Sequence, residues 1–96
     1  MRDKILVVDD VEINRMILCD MLDEEYDIIE AENGEEALDI LFNKNILPTA
    51  VLLDIIMPGK DGFEVLAEMK AHSETEKIPV LFITAADSNT NESRRK

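Results

Sequence analysis

Two short apolar runs, each ending in a carboxylate, most constrain what this chain can fold into. Ile5-Leu6-Val7-Val8 leads directly into Asp9-Asp10, and Ala50-Val51-Leu52-Leu53 leads into Asp54. A continuous aliphatic and β-branched run of this length reads as a strand buried on both faces, and such strands belong to parallel sheets covered by helices. Parallel strands all point their carboxyl ends the same way, so these acids collect at one edge of the sheet.

The segments between the runs alternate as such a sheet requires. From Val11 to Leu22, the residues Ile13, Met16, Ile17, Cys19, Met21 and Leu22 recur at roughly helical spacing among Glu12, Asn14, Arg15 and Asp20, predicting a first helix. Asp27 to Ala31, built on Ile28-Ile29, is a second strand. The Asn33-Gly34 turn then opens a second helix over Glu35 to Asn43, with Ala37, Leu38, Leu41 and Phe42 on one face and Glu35 and Glu36 suiting its positive end. Met57-Pro58-Gly59-Lys60-Asp61-Gly62 is dense in turn formers, with Asp61-Gly62 serving the turn and the start of a third helix over Phe63 to Ala71. Its apolar residues are Phe63, Val65, Leu66 and Met69. The fourth strand is Ile78 to Ile83, where Pro79 fits a first residue or an edge, and it ends at Thr84. Strands alternating with helices imply right-handed crossovers and an α/β, doubly wound parallel sheet. A length of 96 residues bounds this to one domain, in which residues 87–96 are the start of a fourth helix or a polar tail.

Charge and composition narrow the function. Aromatic residues are only 4% of the chain, so the expected core is Val, Ile, Leu and Met packed beside Phe42, Phe63 and Phe82. Lys and Arg number 10 against 22 Asp and Glu, a net charge of -12, which opposes direct binding to nucleic acid or to an anionic membrane and favours a cation or cationic partner. Cys19 is the single cysteine, has no Cys/His cluster to join, and reads as a small buried apolar residue. His72 reads as a solvated residue near the end of the third helix, far from the acid edge. The opening apolar run is far too short to span a bilayer and is flanked by acids, unlike a secretion signal, so a cytoplasmic location is the expectation.

The chemistry lies at the strand ends. Asp9, Asp10, Asp54 and Thr84 meet outside the carboxyl edge, where open sheets of this kind bind ligands. Carboxylates about 4 Å apart repel by roughly 4 kcal/mol per pair at an effective dielectric near 20. A hard divalent cation relieves that repulsion, and Mg²⁺ keeps several waters that phosphate oxygens can replace. Asp54, fixed by a buried strand and followed by an open loop, is the candidate nucleophile that would form an acyl phosphate. Thr84 could donate its hydroxyl hydrogen to a phosphate oxygen. The blander alternative for Asp9-Asp10 is capping of the first helix.

On Ile5-Leu6-Val7-Val8-Asp9-Asp10, Val51-Leu52-Leu53-Asp54 with the loop through Gly62, and Pro79-Val80-Leu81-Phe82-Ile83-Thr84-Ala85, the chain resembles the receiver domains of bacterial two-component response regulators, from Lys4 to about Ala86. The resemblance implies a flavodoxin-like sheet in the order 2-1-3-4. It implies that Asp54 accepts a phosphoryl group from a histidine kinase or phosphotransfer protein. Asp10, Asp54 and the backbone carbonyl of Ile56 would bind Mg²⁺, with Asp9 assisting, and Thr84 would act as the phosphate-contacting switch. The activity is phosphoryl acceptance, not usually classed as that of an enzyme. A Mg²⁺-dependent hydrolase with a strand-end Asp nucleophile is disfavoured, because it wants an acid at the position of Ile56.

The chain departs from the family by lacking the fifth strand, its phosphate-binding lysine and the last helix, so a truncated receiver is the expectation. The lysine's role passes to no residue here. Bare apolar surface would then favour self-association, through the open sheet edge or as a dimer about a two-fold axis. The alternative function is a metal-binding interaction or assembly module that takes no phosphoryl group.

Overall fold

The structure is a computed structural model and describes residues 3–55, 57, 59 and 61–83. Five-residue strands β1 (Lys4–Val8), β2 (Asp27–Ala31) and β3 (Ala50–Asp54) and the shorter β4 (Val80–Ile83) form one sheet. The helices are α1 (Glu12–Leu22), α2 (Gly34–Leu38) and α3 (Gly62–Lys70), and α2 runs on into a π-helical segment over Asp39–Asn43. The four strands are all parallel in the order β2-β1-β3-β4, as the resemblance implied.

That order decides which face each helix covers. The chain steps from β1 outward to β2, then back across β1 to β3, then onward to β4. With right-handed crossovers, the reversal places α1 on one face and α2 and α3 on the other. The core agrees with this arrangement. Leu6 and Val8 of β1 and Val51 and Leu53 of β3 point to one side and pack with Ala37, Ile40, Leu41, Val65 and Met69. Val7, between them in β1, is fully buried on the opposite side.

Several local departures from expectation have physical causes. The second helix buries Ala37, Ile40 and Leu41 and leaves Leu38 and Phe42 at its flank. Its second half widens to a π-turn, with Lys44 N–H donating to the Asp39 carbonyl at 3.0 Å, and Asn45 takes a left-handed conformation (φ 56°) just beyond. Of the three phenylalanines, only Phe42 packs against the core. Phe63 is 58% and Phe82 37% exposed, and their rings meet each other outside it at 5.4 Å. Strand β4 begins at Val80, after Pro79, whose carbonyl accepts from Val51 N–H. Buried Thr75 donates its hydroxyl to the Met69 carbonyl at 2.6 Å, satisfying the end of α3.

Helix α1 buries none of its residues completely. Asn14, Arg15, Leu18, Cys19 and Leu22 are half-buried, while Ile13, Met16, Ile17 and Met21 form a stripe exposed by 51–70%. Cys19 is therefore only partly buried, contrary to expectation. Burial still pushes its thiol above the usual range, and Glu30, which is close enough to accept its hydrogen, adds to the rise. Among the described residues, no helix is long and apolar enough to cross a membrane.

Candidate functional site

The carboxyl edge of β1 is held by its own backbone. Asp9 N–H donates to the Ala31 carbonyl at 3.1 Å, carrying the ladder with β2 one residue past the strand. The Asp9 side chain, 1% exposed, accepts from Val11 N–H at 2.9 Å, so it cannot swing away from the edge. Its carbonyl accepts from Arg15 Nη1 at 2.7 Å, and Arg15 Nε donates to Glu30 at 3.1 Å. One arginine from the first turns of α1 thus ties the end of β1 to β2. Asp10, next in the chain, is exposed at the mouth.

Asp54 closes β3 and is 3% exposed. Behind it, Ile55 N–H donates to the Ile83 carbonyl and Gly62 N–H to the Ile55 carbonyl at 3.0 Å, folding the loop back onto the strand end. The start of α3 presses closely here. A Cβ on Gly62 would lie 2.5 Å from the Asp54 carbonyl oxygen and 2.9 Å from Ile55 Cα, so only glycine fits. Asp61 caps the helix, accepting from Glu64 N–H while Glu64 accepts from Asp61 N–H, both at 3.0 Å.

The structure brings Asp9, Asp10 and Asp54 together, with one oxygen of each within 4.8 Å of the others. Oxygens on an octahedral ion of Mg²⁺ size stand about 2.9 Å apart when adjacent and roughly 4.2 Å when opposite, so small side-chain adjustments let all three face one ion. Two of the acids are buried and one is exposed, which leaves the solvent side of such an ion open. Hard carboxylate oxygens without nitrogen or sulfur suit Mg²⁺, Mn²⁺ or Ca²⁺ rather than zinc or copper.

Ile56 and Thr84, the remaining predicted site residues, lie outside the described residues, as do Pro58, Lys60 and residues 84–96. The capping alternative for Asp9-Asp10 does not hold. The N-cap of α1 is Val11 and carries no side-chain cap, and Asp9 instead braces the turn before the helix. Sequence reading missed Arg15 and Glu30 as the clasp behind the site. Glu30 flanks the apolar pair of β2 and Arg15 sits on the polar side of α1, but nothing in their spacing pairs them before the topology is known.

Comparison with known proteins identifies the family and the fold. The family model described as the response regulator receiver domain matches residues 5–95. The response regulator PleD of Caulobacter vibrioides is 42% identical over 88 residues, which are 91% of this chain and 19% of PleD. This chain therefore spans about a fifth of that relative. Among solved structures, the N-terminal domain of a response regulator receiver protein from Methanoculleus marisnigri superposes with a TM-score of 0.79 at 40% identity, covering 91% of this chain and 70% of that one. The phosphorylated cyanobacterial phytochrome response regulator RcpA superposes at 0.81 with 27% identity, covering 92% and 69% respectively.

Proposed function

From the premise that this chain belongs to the response regulator receiver domain family, we propose that it accepts a phosphoryl group on Asp54 from a histidine kinase or phosphotransfer protein, with Mg²⁺ held beside it. The observation that carries the reading is the convergence of the Asp9, Asp10 and Asp54 oxygens within 4.8 Å at the carboxyl edge of the parallel sheet. RcpA, similar along nearly all of this chain, has been solved in phosphorylated form.

The chemistry follows from position. An Asp54 oxygen attacks the phosphorus of a phosphohistidine, forming an O–P bond as the P–N bond breaks, and the imidazole leaves with its nitrogen lone pair restored. Asp54 is a fixed nucleophile because its backbone is clamped between the end of β3 and the start of α3. Asp9, Asp10 and Asp54 would hold the ion, joined by the Ile56 carbonyl in the arrangement the family resemblance implies. When bound, the ion supplies the positive charge that lets phosphate oxygens approach three carboxylates. Thr84 would hydrogen-bond the transferred group. The protein consumes its own side chain as acceptor rather than turning over a separate substrate, so we do not class it as an enzyme.

The exposed stripe of Ile13, Met16, Ile17 and Met21 on α1 supports association with another protein surface, including a second copy of this chain. A purely metal-binding assembly module is the competing reading. Incubation with Mg²⁺ and acetyl phosphate, followed by intact mass measurement, separates the two. One added phosphoryl group that Asp54→Asn eliminates is expected, and an unmodified wild-type chain leaves the assembly module.

A further inference from the structure

On the face of the sheet opposite α1, α2 and its π-helical continuation run beside α3 and leave an open cleft of about 510 Å³. Its floor is apolar. Leu38 and Phe42 line it and pack from the side against the core, and the His72 ring rests on Phe42 with centroids 4.5 Å apart. Its walls are acidic, with Glu35 and Asp39 from one helix and Glu68 from the other. Asp39 is partly engaged, by Asn43 Nδ2 at 2.7 Å and by Lys44 at a loose 4.0 Å. His72 Nδ1 lies 2.9 Å from the Glu68 carbonyl, which fixes the ring over the phenylalanine. The π-helical segment ends beside the cleft at Asn43, and its C-cap is Lys44, the cation that pairs loosely with Asp39.

We propose that this cleft docks a cationic protein segment, seating an arginine guanidinium against Phe42 and the Glu68 carboxylate with an aliphatic neighbour on Leu38. Charge complementarity selects the occupant: the carboxylates of Glu35, Asp39 and Glu68 surround an apolar floor on a chain whose net charge is -12. Arginine suits the site better than lysine because its planar group forks onto a carboxylate and is weakly hydrated. Its stem covers apolar surface while its head meets the acids. The site is separate from the acid edge, although Glu35 at one end approaches Gly59 of the loop after Asp54. It does not rest on phosphoryl acceptance.

The test is an amide-resolved NMR titration of the ¹⁵N-labelled chain with a capped peptide alternating leucine and arginine. Saturable shifts confined to residues 38–43 and 68–72 are expected. Glu68→Lys, at an exposed position, should weaken binding roughly tenfold or more, the size of one lost charge-assisted contact, while leaving the remaining spectrum unchanged. A lysine-for-arginine peptide should bind several-fold more weakly than the arginine peptide, since it cannot fork onto the carboxylate. The proposal fails if shifts spread over the acids of α1 and the segment after it, if Glu68→Lys binds as wild type, or if the lysine peptide binds equally well. Equal affinity for arginine ethyl ester alone would assign the cleft to small cations and also overturn it.

Discussion

Gly62 shows how closely the site depends on one residue that carries no chemistry. Its missing side chain is the space occupied by the Asp54 carbonyl and Ile55 Cα, which are backbone atoms and cannot rotate away. Gly62→Ala must therefore move either the start of α3 or the acceptor strand. An overpacking cost of about 1–3 kcal/mol is expected, together with slower labelling by acetyl phosphate, measured by thermal melting and by the rate of mass gain. A melt and a labelling rate both unchanged from wild type would show that the two elements are not rigidly joined. Cys19 offers a second test at this scale. Burial, then the neighbouring Glu30, hold its thiol above the usual range, so the folded chain keeps its proton where a free thiol has lost it. The folded pKa is the higher one, so this contribution to stability is present below the unfolded thiol's pKa and is lost as pH rises through the folded value. Alkylation by iodoacetamide should accordingly be slower in the folded chain than in urea at mildly alkaline pH, and Glu30→Gln should quicken it. At this scale Asp9, Asp10 and Asp54 were legible because carboxylates ending buried runs have few structural reasons to be there. Arg15 was not, because its partners, the Asp9 carbonyl and Glu30, come together only through the β1–β2 pairing.

Elements were legible to the degree that burial leaves a one-dimensional trace. Strands β1 and β3 are covered on both faces, so their sequences are unbroken apolar runs and their positions follow directly. Helix α1 is different, because apolar residues occupy most of its circumference and the pattern cannot say which side meets the sheet. The structure turns Leu18, Cys19 and Leu22 inward and leaves Ile13, Ile17 and Met21 in solvent. In the second helix, periodicity identified the face but placed its centre slightly wrong, omitting Ile40, and it gave no sign of the π-turn over Asp39–Asn43. Helix α3 was well marked because the turn formers through Asp61-Gly62 lead into the apolar pattern of Phe63, Val65, Leu66 and Met69, while the capping box of Asp61 and Glu64 that starts it went unread. Asp61→Ala should cost about 1 kcal/mol and lower the melting temperature by roughly 4–8 °C, whereas Asp61→Asn should retain most of the stability, since asparagine caps nearly as well. If the two variants melt alike, the reciprocal bonds are not what holds the start of α3 beside Asp54.

For the whole molecule, the acid edge and the acidic surface pull in the same direction: both store repulsion that a cation relieves. An ion that binds only the folded acids stabilises by mass action, about 2.7 kcal/mol at a hundredfold excess over its dissociation constant. Mg²⁺ should therefore raise the melting temperature of the wild-type chain. Asp10→Asn should melt higher than wild type without Mg²⁺, because a repelling charge is gone, and respond less to the ion, because a ligand is gone. That crossing pattern distinguishes a metal site from general screening, which would raise both proteins equally and would be matched by sodium chloride at the same ionic strength. The α1 stripe adds a second, opposing response. Two copies that met through Ile13, Met16, Ile17 and Met21 would bury apolar surface but bring together two chains of net charge -12. Charge repulsion reaches roughly 10 Å at 0.1 M salt and only about 3 Å at 1 M, while the apolar gain is not weakened by salt. Sedimentation equilibrium should accordingly show more dimer as sodium chloride rises, and Ile17→Glu should remove it at every salt concentration while leaving the Mg²⁺-dependent rise in melting temperature intact. A chain that stays monomeric from low to high salt would mean that this stripe is not covered by a second copy. A dimer that persists in Ile17→Glu would place the contact elsewhere on the fold.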